Sequence, residues 1–354
     1  MRKTKRMLSL ALALLLCAAH CQFAAAQGSY GHINQELIRP ALWKAIVEDS
    51  DFVLGEKQQW EAPGGSPYAV VPYGSYPSID GSTVAVPMAL EFARQHLSLA
   101  ETDLEGFVFL NTTHEAYVNL IEKKPNPAPQ IMSAGAVMDT EHPVDLIIVT
   151  SPSDEETELA RQRGVALTIE PVCYDAFVFV VHKDNPIDNL TLEQIQAIYS
   201  GEITNYAQVG GADAPIAAYQ RPKNSGSQTT METLVMQGKP LMEGPHNYSF
   251  IGMGSLVNAV ADFEMRESSL GYTYLYYIDT LYASESIKTI RIDGIEPTPE
   301  NLRSGDYPLT TAYYGVIRTE DAKEPGGLFL QWMLSQEGQQ CIAQAGYIPF
   351  LPLP

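Results

Sequence analysis

The chain has 354 residues, 45% hydrophobic and 18% charged, which suits a folded protein with a large core and room for two domains and excludes a disordered one. Its 42 acidic residues against 22 basic leave a formal charge of −20, which argues against nucleic acid or an anionic membrane surface as partner. A small anion stays open as a ligand, because a pocket of dipoles and one arginine acts locally while surface charge is screened beyond about 8 Å.

Residues 1–26 read as an export signal. MRKTKR is a basic lead, LSLALALLLCAA an apolar run too short to span a membrane, and Ala24-Ala25-Ala26 a cleavage pattern before Gln27. Its loss would take Arg2, Lys3, Lys5 and Arg6 with no acidic residue, moving the charge from −20 to −24. The mature protein is expected to be extracytoplasmic, periplasmic or on the cell surface. A lipid anchor at Cys21 is the alternative, opposed by the bulk of His20 where such sites want a small residue. Cys173 and Cys341 remain, and are expected as independent buried thiols.

Residues 27–67 read as a short helix and a linker, with Pro63, Gly64, Gly65 and Pro67. From Tyr68 the pattern changes to strands that are apolar throughout, alternating with helices. AVVPYGSYP is a strand and turn, SIDGSTVAVPMALEFARQHL a loop entering a helix at Ser82 or Thr83, and FVFL, NTTHE and AYVNLIEK a strand, loop and helix. DLIIVT, SPSDEE and a polar helix repeat that order. The pattern predicts an α/β fold with parallel strands covered on both faces. It gathers Ser82, Thr83, Thr112, Thr113, Thr150 and Ser151 along one sheet edge, where open α/β folds bind ligands.

PVCYDAFVFVVHKDNP is a long strand able to carry the chain into a second domain, followed by the helix LTLEQIQAIYSG. That domain would hold PIAAYQ, METLVMQG and SLVNAVADFEMRE, then SLGYTYLYYI and SIKTIRIDG as strands. Tyr307-Pro308-Leu309 is the expected return, ahead of the strand YPLTTAYYGVIR and one amphipathic helix over GGLFLQWMLSQEGQQCIAQAGY. The alternation of Tyr272, Tyr274 and Tyr276 predicts an aromatic face used for packing.

The stretch AAYQRPKNSGSQTT, Ala217 to Thr230, holds the strongest chemical signal. Free N–H groups at a helix start, the small Gly226, the hydroxyls of Ser225, Ser227, Thr229 and Thr230, and the fork of Arg221 together make an anion cradle. An ordinary capped surface turn is the plain reading of SGS alone.

The segments DGSTVAVPMALEFA, NPIDNLTLEQIQAIYSGEITNYAQVGG, QRPKNSGSQTT, IDGIEPTPENLRSGDYPLTTAYYGVIR and LQWMLSQEGQQCIAQAGYIP stand in an order that resembles the phosphate-binding (PstS-like) solute-binding proteins of phosphate ABC importers, of the type II periplasmic-binding-protein fold. The resemblance covers roughly residues 75 to 350. It implies two lobes, 68–171 plus 309–354 and 172–308, each a mostly parallel sheet flanked by helices and joined by a two-strand hinge. Phosphate would lie between them, for delivery to an ABC importer's membrane subunits. The family's ligand residues fall on Arg221, Ser225, Gly226 and Ser227, and on Ser82 and Thr83 in the first lobe, with Thr113 and His114 as further contacts. An aspartate that accepts the proton of hydrogen phosphate in the family is replaced by Thr150. Asp154, Asp80, a hydroxyl or a carbonyl would have to serve instead, or the ligand is another oxyanion or an organic phosphate.

Neither a cofactor nor a metal is expected, and the protein is read as a monomer. A hydrolase using Ser225 or Ser227 lacks support, since His32, His96, His114, His142, His182 and His246 sit in no GxSxG, SxxK or HExxH pattern. An exported sensing or surface protein of the same fold is the remaining alternative.

Overall fold

The computed structural model describes residues 68–71, 76–97, 101, 104, 107–126, 135–138, 142–243 and 252–351. The expected signal, Cys21 and the 27–67 stretch lie outside the described residues. Strand β1 (Tyr68–Val71) pairs in parallel with β3 (Gly135–Met138). Strand β2 (Ile79–Gly81) leads through a 3-10 turn, Thr83–Ala85, into α1 (Val86–His96). Helix α2 (Thr113–Ile121) is capped by Thr112, whose hydroxyl accepts from the Glu115 N–H. Strand β4 (Leu146–Val149) is followed by α3 (Asp154–Arg163), where Ser153 and Glu156 close a reciprocal cap and Gly164 ends the helix at φ 67°.

Strand β5 (Leu167–His182) is the spine. Its first part pairs with β11 (Thr310–Arg318) up to Ala176, and with β12 (Ile348–Pro349); from Phe177 it pairs with β8 (Ser269–Tyr274) and β9 (Ile287–Thr289). The eight-stranded sheet runs β2, β4, β11, β5, β8 and then β7 (Ala217–Ala218), with β9 and β12 beside β5. Its outer pairs β2–β4 and β7–β8 are parallel, while β11 runs antiparallel to β4 and β5 antiparallel to β8, β9, β11 and β12. A small parallel pair joins β6 (Asn189–Leu190) to β10 (Arg291–Ile292) ahead of α4 (Leu192–Tyr199).

Strand β4 shows why a continuous apolar run folds here as a strand. Leu146 and Ile148 enter one core cluster, whereas Ile147 and Val149 enter the other. Both faces are therefore covered. The larger cluster takes in α1, the second half of β5 and the aromatic residues of α8 (Pro325–Met333).

Three elements differ from the sequence reading. FVFL forms no strand, Phe107 being helical and residues 108–110 irregular. The strand predicted over SLGYTYLYYI stops at Tyr274, and Tyr277–Leu281 forms a π-helical turn. The C-terminal helix is two helices, α8 and α9 (Gln336–Gln344), because Ser335 caps the second by accepting from Gly338 N–H while its hydroxyl donates to Trp332 O. Cys173 and Cys341 are both buried and free. No described helix is long and apolar enough to cross a membrane.

Candidate functional site

Parallel pairing of β2 with β4 sets Gly81 beside Ile148, so Ser82 and Thr150 follow the C-terminal ends of adjacent strands. Ser82 N–H donates to Ile148 O at 2.9 Å, and its side chain caps nothing. Asp80, just behind, is buried and accepts four hydrogen bonds. The Gly81 and Asn111 N–H groups bind Oδ1 at 2.7 and 2.9 Å, and the Asn111 and Asn119 amides bind Oδ2 at 2.9 and 3.0 Å. These bonds tie the loop before Thr113 to the end of β2. Burial raises the Asp80 pKa and the four donors pull it back.

The cradle is built on α5 (Gly226–Thr230), which continues as a π-helical turn over Met231–Met236. Ser225 holds the N-cap position, yet its side chain caps nothing. The plain reading of SGS as a hydroxyl-capped turn therefore fails. A Cβ on Gly226 would stand 2.5 Å from Thr150 Oγ1 and 2.8 Å from Thr113 Oγ1, so this turn lies directly against the two threonines. Thr113 and Thr150 are buried.

Arg221 is fixed by its backbone. Its N–H donates to the Tyr272 hydroxyl at 2.9 Å and to Gln228 Oε1 at 3.1 Å, and Tyr272 in turn donates to that same oxygen. Its guanidinium Nε and Nη1 are buried without a hydrogen-bond partner, as are Ser225 Oγ and Ser227 Oγ. Burial pulls the Arg221 pKa down, and among the described residues no carboxylate forms an ion pair with it. A buried cation without a counter-charge is costly, and an anion in this turn would relieve the cost. Thr150 Oγ1 also lacks a hydrogen bond of good geometry, although the Tyr274 hydroxyl is beside it. Tyr274 itself bonds Thr230 Oγ1 at 2.8 Å and donates to Gly226 O at 3.1 Å, supporting the turn from below.

The structure thus brings Thr113, Thr150, Gly226 and its serine neighbours together. Thr83 is exposed, and His114 is engaged elsewhere, with Nδ1 2.9 Å from Glu156 Oε1. Of the candidate acceptors, Asp80 has both oxygens occupied and Asp154 is exposed at the start of α3. Since Ser225 Oγ and Ser227 Oγ have no partner, no described histidine is placed to take a proton from either. His32 and His246 lie outside the described residues. Residues absent from the sequence reading are Gln228, Tyr272 as a hydrogen-bond partner, Tyr274 as the support of the turn, and Asn224, whose Nδ2 donates to Glu155 Oε2 at 2.6 Å. The tyrosine alternation signalled packing, which Tyr272 and Tyr274 also provide against Phe177.

The PBP superfamily domain model matches residues 79–337. The phosphate-binding protein PstS of Bacillus subtilis is 24% identical over 236 residues, 65% of this chain and 73% of its own length. That of Borreliella burgdorferi is 27% identical over 200 residues, 55% and 70% respectively. A Clostridium perfringens structure, assigned as a phosphate ABC transporter substrate-binding protein and solved with bound phosphate, is 25% identical with a TM-score of 0.56, covering 79% of this chain and 99% of the other. A phosphate transport receptor from Vibrio cholerae shares the fold at 21% identity and a TM-score of 0.54, over 78% of this chain and all of its own. With most of its length matched by one family model, this chain belongs to the PBP superfamily, with the type II periplasmic-binding-protein fold.

Proposed function

We propose that this protein is an exported solute-binding protein that captures inorganic phosphate between two lobes and delivers it to the membrane subunits of an ABC importer. The observation that carries this reading is the set of buried donors without partners, Arg221 Nε and Nη1 with Ser225 and Ser227 Oγ, in a turn pressed against Thr113 and Thr150. The names of the PstS relatives and the phosphate bound in the Clostridium protein favour phosphate over other oxyanions.

The lobes are 68–171 plus 309–354 and 172–308, with β5 and β11 as the hinge. Arg221, Ser225, Gly226 and Ser227 hold the anion from one side; Thr113, Thr150 and Ser82 hold it from the other, with Thr83 at the rim. Charge-assisted hydrogen bonds contribute roughly 1.5 to 3 kcal/mol each. Four or five therefore supply about the 8 kcal/mol of micromolar binding after closure costs. A ligand that bridges both lobes binds the closed arrangement better and shifts the population towards it. The protein acts as a monomer, without a covalent step or cofactor.

Calorimetry on phosphate-stripped protein tests this reading. One-to-one binding is expected, weakened at least about tenfold by Arg221→Ala. Heat with sulfate, molybdate or an organic phosphate but none with phosphate would overturn the ligand and spare the fold.

A further inference from the structure

We propose that Asn224 is the specificity-determining acceptor of this site, oriented from across the cleft by Glu155, and that it selects oxyanions carrying a proton; the proposal rests on the phosphate reading above. Asn224 precedes Ser225 and has a φ of 65°, a left-handed conformation that asparagine tolerates better than most residues. Its Nδ2 donates to Glu155 Oε2 at 2.6 Å, and Glu155 belongs to the first turn of α3, after Thr150 and Ser153. A carboxylate only accepts hydrogen bonds, so this contact fixes which way the amide faces. Turning it over would set oxygen against oxygen.

The amide oxygen is thereby committed. Oδ1 is buried without a partner, in the same short segment, 221–227, that carries the unpartnered Arg221 Nε and Nη1, Ser225 Oγ and Ser227 Oγ. Those four atoms carry hydrogens to donate. Oδ1 has none, and an anion beside it satisfies it only by bringing one. Sulfate, fully ionised near neutrality, satisfies the donors and leaves Oδ1 facing an oxygen. Hydrogen phosphate offers a P–OH to it. Asp80, with four donors on its two oxygens, does not compete for this part. Glu155 acts through Asn224 and is a positioning residue. Because the two stand on opposite sides of the cleft, the acceptor is set only when the sides meet.

The test measures Kd for inorganic phosphate and for sulfate by calorimetry in wild type, Asn224→Gly and Glu155→Ala. Glycine accepts a φ of 65° without strain, so Asn224→Gly removes the amide and keeps the turn. Its ratio of sulfate Kd to phosphate Kd is expected to fall by about tenfold or more, the effect of one buried polar group left without its partner. Glu155→Ala removes the acceptor that holds Nδ2, leaving the amide free to turn Nδ2 towards the anion, and its ratio is expected to fall in the same direction. Equal weakening of both anions, or none, in Asn224→Gly overturns the acceptor role while phosphate binding by wild type keeps the broader reading. An unchanged ratio in Glu155→Ala overturns the positioning role. Wild type that binds no phosphate overturns the reading on which the proposal rests.

Discussion

Gly226 fills a position where any side chain meets the opposite wall. A methyl group there would sit 2.5 Å from Thr150 Oγ1 and 2.8 Å from Thr113 Oγ1, well inside contact distance, so the threonines or the turn would have to retreat. Gly226→Ala is therefore expected to lower the melting temperature of ligand-free protein, overpacking costing about 1 to 3 kcal/mol, and to cut phosphate affinity about tenfold or more. The measurement is the phosphate-induced rise in melting temperature, which shrinks if the two sides no longer close on the anion. An undiminished rise would mean that the contact with Thr113 and Thr150 plays no part in binding. Glycine, serine and arginine were legible in the sequence because a small residue, hydroxyls and a guanidinium at a helix start have few other uses together. Asn224 was not, because its partner Glu155 lies 69 positions away and only the folded chain shows which atoms are left unsatisfied.

Short elements carry the site, and Asp80 holds two of them together. It links the end of β2 to the loop that precedes α2 and to Asn119 within α2, so the position of Thr113 depends on it. Asp80→Asn keeps the size but turns one oxygen into an N–H donor facing the amides of Asn111 and Asn119. The expected loss is about 3 kcal/mol, from hydrogen bonds to a charged acceptor and a donor left unpaired. Urea denaturation measures it, with phosphate affinity falling as Thr113 loosens; a loss within about 0.5 kcal/mol would show that the loop holds itself. Helix caps are local, so sequence spacing alone can carry them. Ser153 with Glu156, and Thr191 with Gln194, form the reciprocal bonds that their spacing of three predicts. The split of the C-terminal helix was not legible from apolar spacing, since Phe329, Trp332, Met333 and Ile342 reach the core from both halves. The early end of β8 was hidden similarly, because Tyr276 alternates like a strand residue but stacks on Tyr347 at 3.7 Å instead.

Across the whole molecule, β5 is the strand on which both parts of the sheet depend, and Asp175 lies one residue before its partners change from β11 to β8. The carboxylate is buried and reaches in both directions. Oδ2 accepts from the Tyr313 hydroxyl of β11 at 2.8 Å, and Oδ1 accepts from the N–H groups of Ala176 at 2.7 Å and of Tyr276, just past β8, at 3.2 Å. Burial, opposed by these three bonds, pushes its pKa from 3.8 up to about 7. Between those two values the folded chain holds a proton that the unfolded chain has released, so this group's contribution to stability falls as pH rises, by up to about 1.4 kcal/mol per pH unit. The contribution is greatest below about pH 4 and is lost as pH rises through about 7. Asp175→Asn fixes the neutral state, and its amide can still accept from the two N–H groups while donating to the tyrosine oxygen. Compared by denaturation at pH 5 and pH 7, the variant is expected to lose less stability than wild type over that interval. Equal losses would place the Asp175 pKa near that of an ordinary carboxylate. If β5 and β11 are the hinge, the same proton belongs to its centre, and phosphate-induced stabilisation measured at both pH values shows whether closure shares in it.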